Sequence, residues 1–344
     1  KVCRNIERII REEMDAIGGQ EILMPVVSGA DLWKESGRYD KVDVLAKFKG
    51  RSGADYVLNP THEEVVVDFV KSVMDSYKQM PFMVYQIQTK FRDELRSRAG
   101  LVRTREFRMK DAYSFHLTQE DLEKFYAECL QAYYRIFKRI GMKNVVDVKS
   151  DNGDMGGSIS HEFMLLHEIG EDTVYVCPCG FRANRETMGE SKICPVCGKP
   201  LDEHRGIEIG NIFQLGDKYS KSMHLEYTAQ HGTKKNPIMG CYGIGVGRAM
   251  ASVIEESADD NGPIWNMEIA PYKVHIVTMA DKTGESDKLG QKIHDYLTQK
   301  SIEVILDNRD IRAGEKFADA DLLGAPVRLI VLWSWQRLIR RQNI

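Results

Sequence analysis

A chain of 344 residues, 42% of them apolar, can fill the cores of two domains. Its net charge of −3 and sequence pI near 6.4 exclude the overall basicity of a general nucleic-acid binder and leave room only for local basic faces. No run of about eighteen apolar residues occurs, so no membrane span is expected.

The opening KVCRNIERIIREEM places Ile6, Ile9, Ile10 and Met14 at helical spacing. It has neither an initiator Met nor the apolar core of a signal peptide, so the chain is expected to begin within a longer protein. GGQ stops that helix, and EILMPVV reads as a short strand. DYVLNPTHEEVVVDFVKSVM reads as strand, turn and helix, with Thr61 as N-cap and Glu64 completing a capping box. FMVYQIQTKFRDE alternates Val84, Gln86, Gln88 and Lys90 against Tyr85, Ile87, Thr89 and Phe91, the period of a strand. SRAG is a loop, TREFRMKDAYSFH returns as a second strand, and QEDLEKFYAECLQAYYRIFKRIG is a long helix. After a cysteine-rich stretch comes EIGNIFQLG, then a strand, a glycine-rich turn and a helix in NPIMGCYGIGVGRAMASVIEES. GPIWNMEIAPYKV reads as a boundary. Beyond it VHIVTMA, DKLGQKIHDYLTQK, IEVILDN, KFADADLLG and VRLIVL alternate strand and helix, the pattern of a small parallel α/β domain.

The hairpin carries the densest chemistry. A strand sends every second side chain to one face, so Arg92 and Glu94 project together. On the returning strand Arg103, Arg105, Phe107, Met109, Asp111 and Tyr113 share a face. Arginine grips phosphate bidentately, an aromatic face stacks on a base, and acids in the same group bind amines. A solvated surface hairpin has no need of Phe or Met among its charges.

Other features allow plainer readings. Cys177-Pro-Cys179 and Cys194-Pro-Val-Cys197 form two close pairs, the usual makings of a tetrahedral thiolate site for one zinc ion; remnants of an eroded ribbon are the alternative. This spacing points to metal binding in a reducing compartment, the cytosol, rather than to disulfides. Cys3 and Cys129 lie on helices as packing residues. Arg309, Arg312 and Lys316 are either solvated charge or a phosphate-contacting patch. Gly243, Gly245 and Gly247 lack the spacing of a dinucleotide loop.

FRDE, a loop and RTREFRMKD resemble the second signature motif of class II aminoacyl-tRNA synthetases. GIGVGR before an apolar helix resembles the third motif, and the first helix leading to EILMP, with Pro25, resembles the first. PTHEEV, QIQTKFRDE, MKDAYSFH, GIEIGNIFQLG and GCYGIGVGR narrow the resemblance to the bacterial-type prolyl-tRNA synthetases, over nearly the whole chain. The resemblance implies an α+β fold: a class II antiparallel sheet flanked by helices over residues 1–268, then a small, shortened α/β anticodon-binding domain over 269–344. A short Cys-rich ribbon at 175–205 stands where many bacterial members insert an editing domain.

The resemblance also implies roles. Arg92 would hold the α-phosphate of ATP, Glu94 the adenine amino group and Arg103 the γ-phosphate, with adenine between Phe107 and Arg248. Arg92 and Arg248 are the expected catalytic residues; Glu208 and Asn211 would contact the nucleotide. Thr61 and Glu63 would hold the secondary ammonium of L-proline, and Met109, Asp111, Tyr113, Phe213 and Cys241 would shape its pocket. Mg2+ would bridge the phosphates. Arg96, Arg98, Arg309, Arg312 and Lys316 would meet tRNA(Pro), and the first motif would build a homodimer. The implied activity is proline–tRNA ligation by a chain without an editing insertion. A catalytically silent, synthetase-like tRNA-binding or regulatory protein is the alternative, disfavoured by retention of Arg92, Glu94, Phe107 and Arg248. A zinc-ribbon interaction module would leave the arginines idle. The closing VLWSWQRLIRRQNI does not resemble the family's continuation and reads as a basic amphipathic tail or an altered end.

Overall fold

The computed structural model describes residues 1–189, 191–332 and 335–340, the side chains of Asp154 and of 335–340 excepted. The tail expected from residue 331 onward therefore falls partly outside the described residues. The chain divides into two compact units.

The larger unit, Glu7–Lys138 with Met142–Ser252, is built on a mainly antiparallel sheet. At its centre Phe82–Phe91 pairs with Glu106–His116, which pairs with Ile238–Gly245, which pairs with Asp202–Gly216. Asp202–Gly216 continues outward to Ile159–Leu166 and to Asp172–Val176. Gly19–Glu21 adds a parallel edge against Phe82–Phe91. The long helix Gln119–Ile140 covers one face, because Leu122, Tyr126, Cys129, Tyr133, Ile136 and Phe137 recur at the helical period and are all buried. Tyr133 and Phe137 meet Phe163 of the sheet at ring-centroid distances of 4.9 and 5.4 Å. Each such fully buried side chain contributes about 1.5–3 kcal/mol relative to exposure. The other sheet face stays open over its central strands.

The smaller unit comprises Lys1–Ile6, Arg139–Gly141 and Val253–Ile344. Its strands Val304–Asp307, Val274–Thr278 and Val327–Leu332 run parallel, and Trp335–Arg340 adds an antiparallel fourth. Glu285–Gln299 and Ala313–Leu323 are the intervening helices. Gly290 lets the first of them sit close to the sheet: a Cβ there would lie 2.4 Å from the Thr278 side chain.

Three local expectations are corrected. EILMPVV is not one strand: strands Gly19–Glu21 and Val27–Gly29 flank an irregular segment, where the Gln86 amide oxygen accepts from the Met24 amide at 2.9 Å and Gln88 donates to the Met24 carbonyl at 2.9 Å. Pro25 supplies no backbone donor there. The capping box is also absent. The helix Glu63–Val73 has His62 at its N-cap without a side-chain cap bond, while Glu64 turns to Arg38. Finally, the expected glycine turn is strand, since Ile238–Gly245 runs directly into helix Val246–Ser257.

Candidate active site

The open face of the central strands forms the floor of a cavity of about 250 Å³. Register explains who lines it. Tyr113 lies opposite Cys241, and Cys241 opposite Phe213, so these three form one rung across the sheet. Asp111, Gly243 and Asn211 form the next, and Met109 lies opposite Gly245. Glycine keeps the middle of this floor low: a Cβ on Gly243 would rise beside the Met109 sulfur, 3.7 Å away. Thr61 and Glu63 enter from the start of helix Glu63–Val73, and Arg248 from the first turn of helix Val246–Ser257.

Every residue expected to bind ATP or proline lines this one cavity: Arg92, Glu94, Arg103, Phe107, Glu208, Asn211 and Arg248, with Thr61, Glu63, Met109, Asp111, Tyr113, Phe213 and Cys241. Arg92 and Glu94 lie just past the end of strand Phe82–Phe91, and both still face inward. Arg105 leaves the shared face; its Nε donates to the Glu94 carbonyl at 2.8 Å.

The charges are arranged unevenly. Arg92 makes no ion pair among the described residues and lies over the Phe107 ring at 5.2 Å. Burial and the like charge of Arg248 both act to lower its proton affinity, although an arginine stays charged. Arg248 bonds Glu208 Oε2 at 2.9 Å, and its Nε donates to the Val102 carbonyl at 2.9 Å. Arg103 is held by Glu94 at 3.1 Å. The Asn211 Oδ1 acceptor is buried without a partner, a position that a donating ligand atom would satisfy. Beside this end Glu162 is pushed up to about 8 by burial and the Glu208 charge, and Asp172 is raised for the same reasons.

At the other end a fully buried polar web supports the floor. Lys90 Nζ sits 2.7 Å from Asp111 Oδ1 and donates to His62 Nδ1 at 2.6 Å. His62 Nε2 in turn donates to the Pro25 carbonyl at 2.9 Å, which makes the ring neutral. Burial and the Lys90 charge hold His62 down at about 4. Burial alone would raise the Asp111 carboxyl, but the Lys90 charge and the hydrogen bonds from Lys90 and Gln86 outweigh it and hold it below its usual value. Tyr113 donates to Asp111 Oδ2 at 2.8 Å and Gln86 at 3.0 Å.

Two family descriptions match the chain: "tRNA synthetase class II core domain (G, H, P, S and T)" over residues 47–257 and "Anticodon binding domain" over 273–331. A proline–tRNA ligase of Wolbachia sp. subsp. Brugia malayi is 42% identical over 346 residues, covering 96% of this chain and 81% of its own. The chain belongs to the prolyl-tRNA synthetase family. The proline–tRNA ligase of Thermotoga sp. (strain RQ2) aligns at 33% identity to the same 96% of this chain, but across 482 positions. That family member therefore carries segments with no counterpart here. Among solved structures, a prolyl-tRNA synthetase of Cryptosporidium parvum complexed with L-proline and AMP superposes with a TM-score of 0.79 at 17% identity, over 99% of this chain and 64% of that one. A prolyl-tRNA synthetase of Giardia lamblia in complex with prolyl-adenylate gives 0.78 at 22%, over 98% and 68%.

Within this prolyl-tRNA synthetase fold the four expected metal cysteines converge. Cys177, Cys179, Cys194 and Cys197 place their sulfurs within 4.8 Å of one another, with Cys177–Cys197 at 3.4 Å and Cys179–Cys194 at 3.6 Å. Four thiolates around zinc at about 2.3 Å stand roughly 3.8 Å apart, so the set fits the ion.

The expected tRNA residues fare differently. Arg96, Arg98 and Arg312 are exposed, and Arg98 pairs with Glu171 at 2.7 Å. Arg309 is clamped by Asp307 and Asp319, both at 2.7 Å. Lys316 is corrected: it is 2% exposed, and its ammonium donates to the Thr278 carbonyl at 2.7 Å, out of reach of a phosphate.

Sequence reasoning missed Arg38, His62 and Lys90, and also Met155, which lines the cavity. Lys90 and Gln86 were visible as polar residues on one strand face, a signal that a buried polar network uses. Arg38 gave no local signal; only its distant partners Glu63 and Glu64 define it.

Among the described residues no helix is long and apolar enough to cross a membrane.

Proposed function

We propose that this chain activates L-proline with ATP to prolyl-adenylate and transfers the prolyl group to tRNA(Pro). One observation carries the reading: a half-buried, unpaired Arg92 and the buried carboxylate of Glu63 line the same cavity. The first suits a phosphate and the second an ammonium. The proline carboxylate attacks the α-phosphorus of ATP and pyrophosphate leaves; a ribose hydroxyl of the tRNA then attacks the carbonyl and AMP leaves.

In this reading Arg92 neutralises charge that develops on the α-phosphate, and Arg103 leaves Glu94 for the terminal phosphate. Adenine lies against Phe107 beneath Arg248, with Glu94 and Glu208 accepting from it and Asn211 Oδ1 gaining its missing donor. Thr61 and Glu63 take the ammonium, while Met109, Asp111, Tyr113, Phe213 and Cys241 bound the ring. No nucleophilic side chain is needed, so positioning and electrostatics carry the rate. Mg2+ bound with the ATP would neutralise phosphate charge. Cys177, Cys179, Cys194 and Cys197 hold one structural zinc away from the chemistry.

Residues 1–268 form the catalytic domain, with the cysteine ribbon at 175–205, and 269–344 the anticodon-binding domain. Arg96 and Arg98 meet one part of the tRNA, Arg309 and Arg312 another. The enzyme works in the cytoplasm as a homodimer built on its first motif. Amino-acid-dependent ATP–pyrophosphate exchange, run across all twenty amino acids, tests the reading. Proline is expected to stand well above alanine and cysteine; robust exchange with a different amino acid, or none, rejects it.

A further inference from the structure

Helix Glu63–Val73 begins with two adjacent acids, and both are buried: Glu63 is 2% and Glu64 0% exposed. Two carboxylates side by side in a low-dielectric interior repel each other unless a cation intervenes. The cation is Arg38, itself 4% exposed, packed 5.0 Å from the Trp33 ring centroid and 5.6 Å from that of Tyr219. Its Nη1 reaches both oxygens of Glu64, at 3.0 and 3.2 Å. The same nitrogen reaches Glu63 only at 3.5 Å and the Thr61 hydroxyl at 3.3 Å.

A guanidinium nitrogen of this kind carries two protons. One is committed to Glu64, whose Oε1 also accepts from the Ser36 hydroxyl at 2.8 Å. The other is shared over long contacts between Glu63 and Thr61. Arg38 therefore satisfies Glu64 and leaves Glu63 weakly held, its charge directed into the cavity that it lines. Counting formal charges, the three groups sum to −1, and the acid facing the cavity is the one with the longer contact to Arg38. Neither Arg38 nor Glu64 lines the cavity.

We infer that Arg38 and Glu64 are positioning residues that keep the Glu63 carboxylate aimed into the cavity and only loosely paired until the ammonium of the amino-acid substrate arrives. Glu64 acts as a decoy: by occupying the guanidinium it prevents Arg38 from neutralising Glu63. The inference rests on the proline-activating reading of this cavity and adds two residues that touch no substrate.

Charge balance fixes the sign of an otherwise unexpected result. Glu64→Gln keeps the shape but removes one negative charge, so Arg38 turns to Glu63 and the triad becomes neutral. Arg38→Met combined with Glu64→Gln removes both distant charges and restores −1 on Glu63. The neutral replacement pair is also the kind of swap that buried ion pairs tolerate.

The experiment measures KM for proline, KM for ATP and kcat by pyrophosphate exchange in the intact chain and the two variants. Glu64→Gln is expected to raise KM for proline about tenfold and to leave KM for ATP within about twofold. The double variant is expected to return KM for proline to within about threefold of the parent chain. A merely structural role predicts the reverse order, with the double variant worse than the single. An unchanged KM for proline in Glu64→Gln, a double variant no better than the single, or parallel movement of both KM values overturns the inference alone. A parent chain without proline-dependent exchange overturns the underlying reading as well. Should the double variant not fold, the near-isosteric Glu64→Gln, with its split between proline and ATP, decides the matter by itself.

Discussion

Two regions of this molecule carry clustered basic residues beside acids, and they use them in opposite ways. In the cavity of the larger unit, Arg92 makes no ion pair among the described residues, and Arg103 and Arg248 are held by carboxylates at the cavity wall. In the smaller unit, Arg309 is bound by Asp307 and Asp319, and Lys316 is enclosed against backbone carbonyls. The first arrangement leaves one positive charge, that of Arg92, for a ligand; the second consumes its charges within the fold. A run of charges in a sequence looks the same in either case. Burial and partners separate them.

The largest effect expected from that contrast is at Arg92. Arg92→Ala should lower proline-dependent pyrophosphate exchange by about a thousandfold, roughly 4 kcal/mol of transition-state stabilisation, with an unchanged melting temperature. Near-parental exchange in this variant would erase the distinction between the two regions.

Next is the support beneath the cavity. His62 has a folded value of about 4 against 6.5 unfolded, so its folded form resists protonation. Its contribution is fully present above pH 6.5, and it is lost as pH falls toward 4, by on the order of 3 kcal/mol. Urea unfolding at pH 7 and pH 4.5 measures this, and His62→Gln should remove that part of the difference. Equal pH dependence in both chains would relocate the effect to other groups.

A smaller loss is expected at Lys316. Lys316→Met leaves the Thr278 carbonyl without its ammonium and should destabilise the smaller unit by about 1–3 kcal/mol, read as a fall in melting temperature. Smallest is Arg312→Ala: stability within about 0.5 kcal/mol, pyrophosphate exchange intact, and aminoacylation reduced with a salt dependence of tRNA binding shallower by about one unit. If Lys316→Met behaved like Arg312→Ala, the internal and external charges would not differ as the structure indicates.

Strand alternation made much of this legible in advance. Phe107, Met109, Asp111 and Tyr113 were readable as one face because a period of two allows nothing else, and the alternating strands and helices after residue 273 followed from the same patterning. What escaped depended on contacts distant in sequence. Thr61 and Glu64 fit a capping box locally, yet Arg38, more than twenty residues earlier, takes Glu64 and touches Thr61. Lys316 sits among charged neighbours in the sequence and beneath the surface in space, because its helix turns it toward the Thr278 carbonyl. Lys90 lay on a strand face with Gln86, but only the fold brings His62 and Asp111 to it. Local pattern sets which face a side chain takes; it does not name the partner.

The most direct test of the central claim offers the purified chain ATP, Mg2+ and an equimolar mixture of the twenty amino acids, then identifies the aminoacyl-adenylate by mass spectrometry. The cavity described above predicts prolyl-adenylate as the dominant species, lost in Arg92→Ala. A different aminoacyl-adenylate, or none from a folded chain that binds ATP, would contradict it.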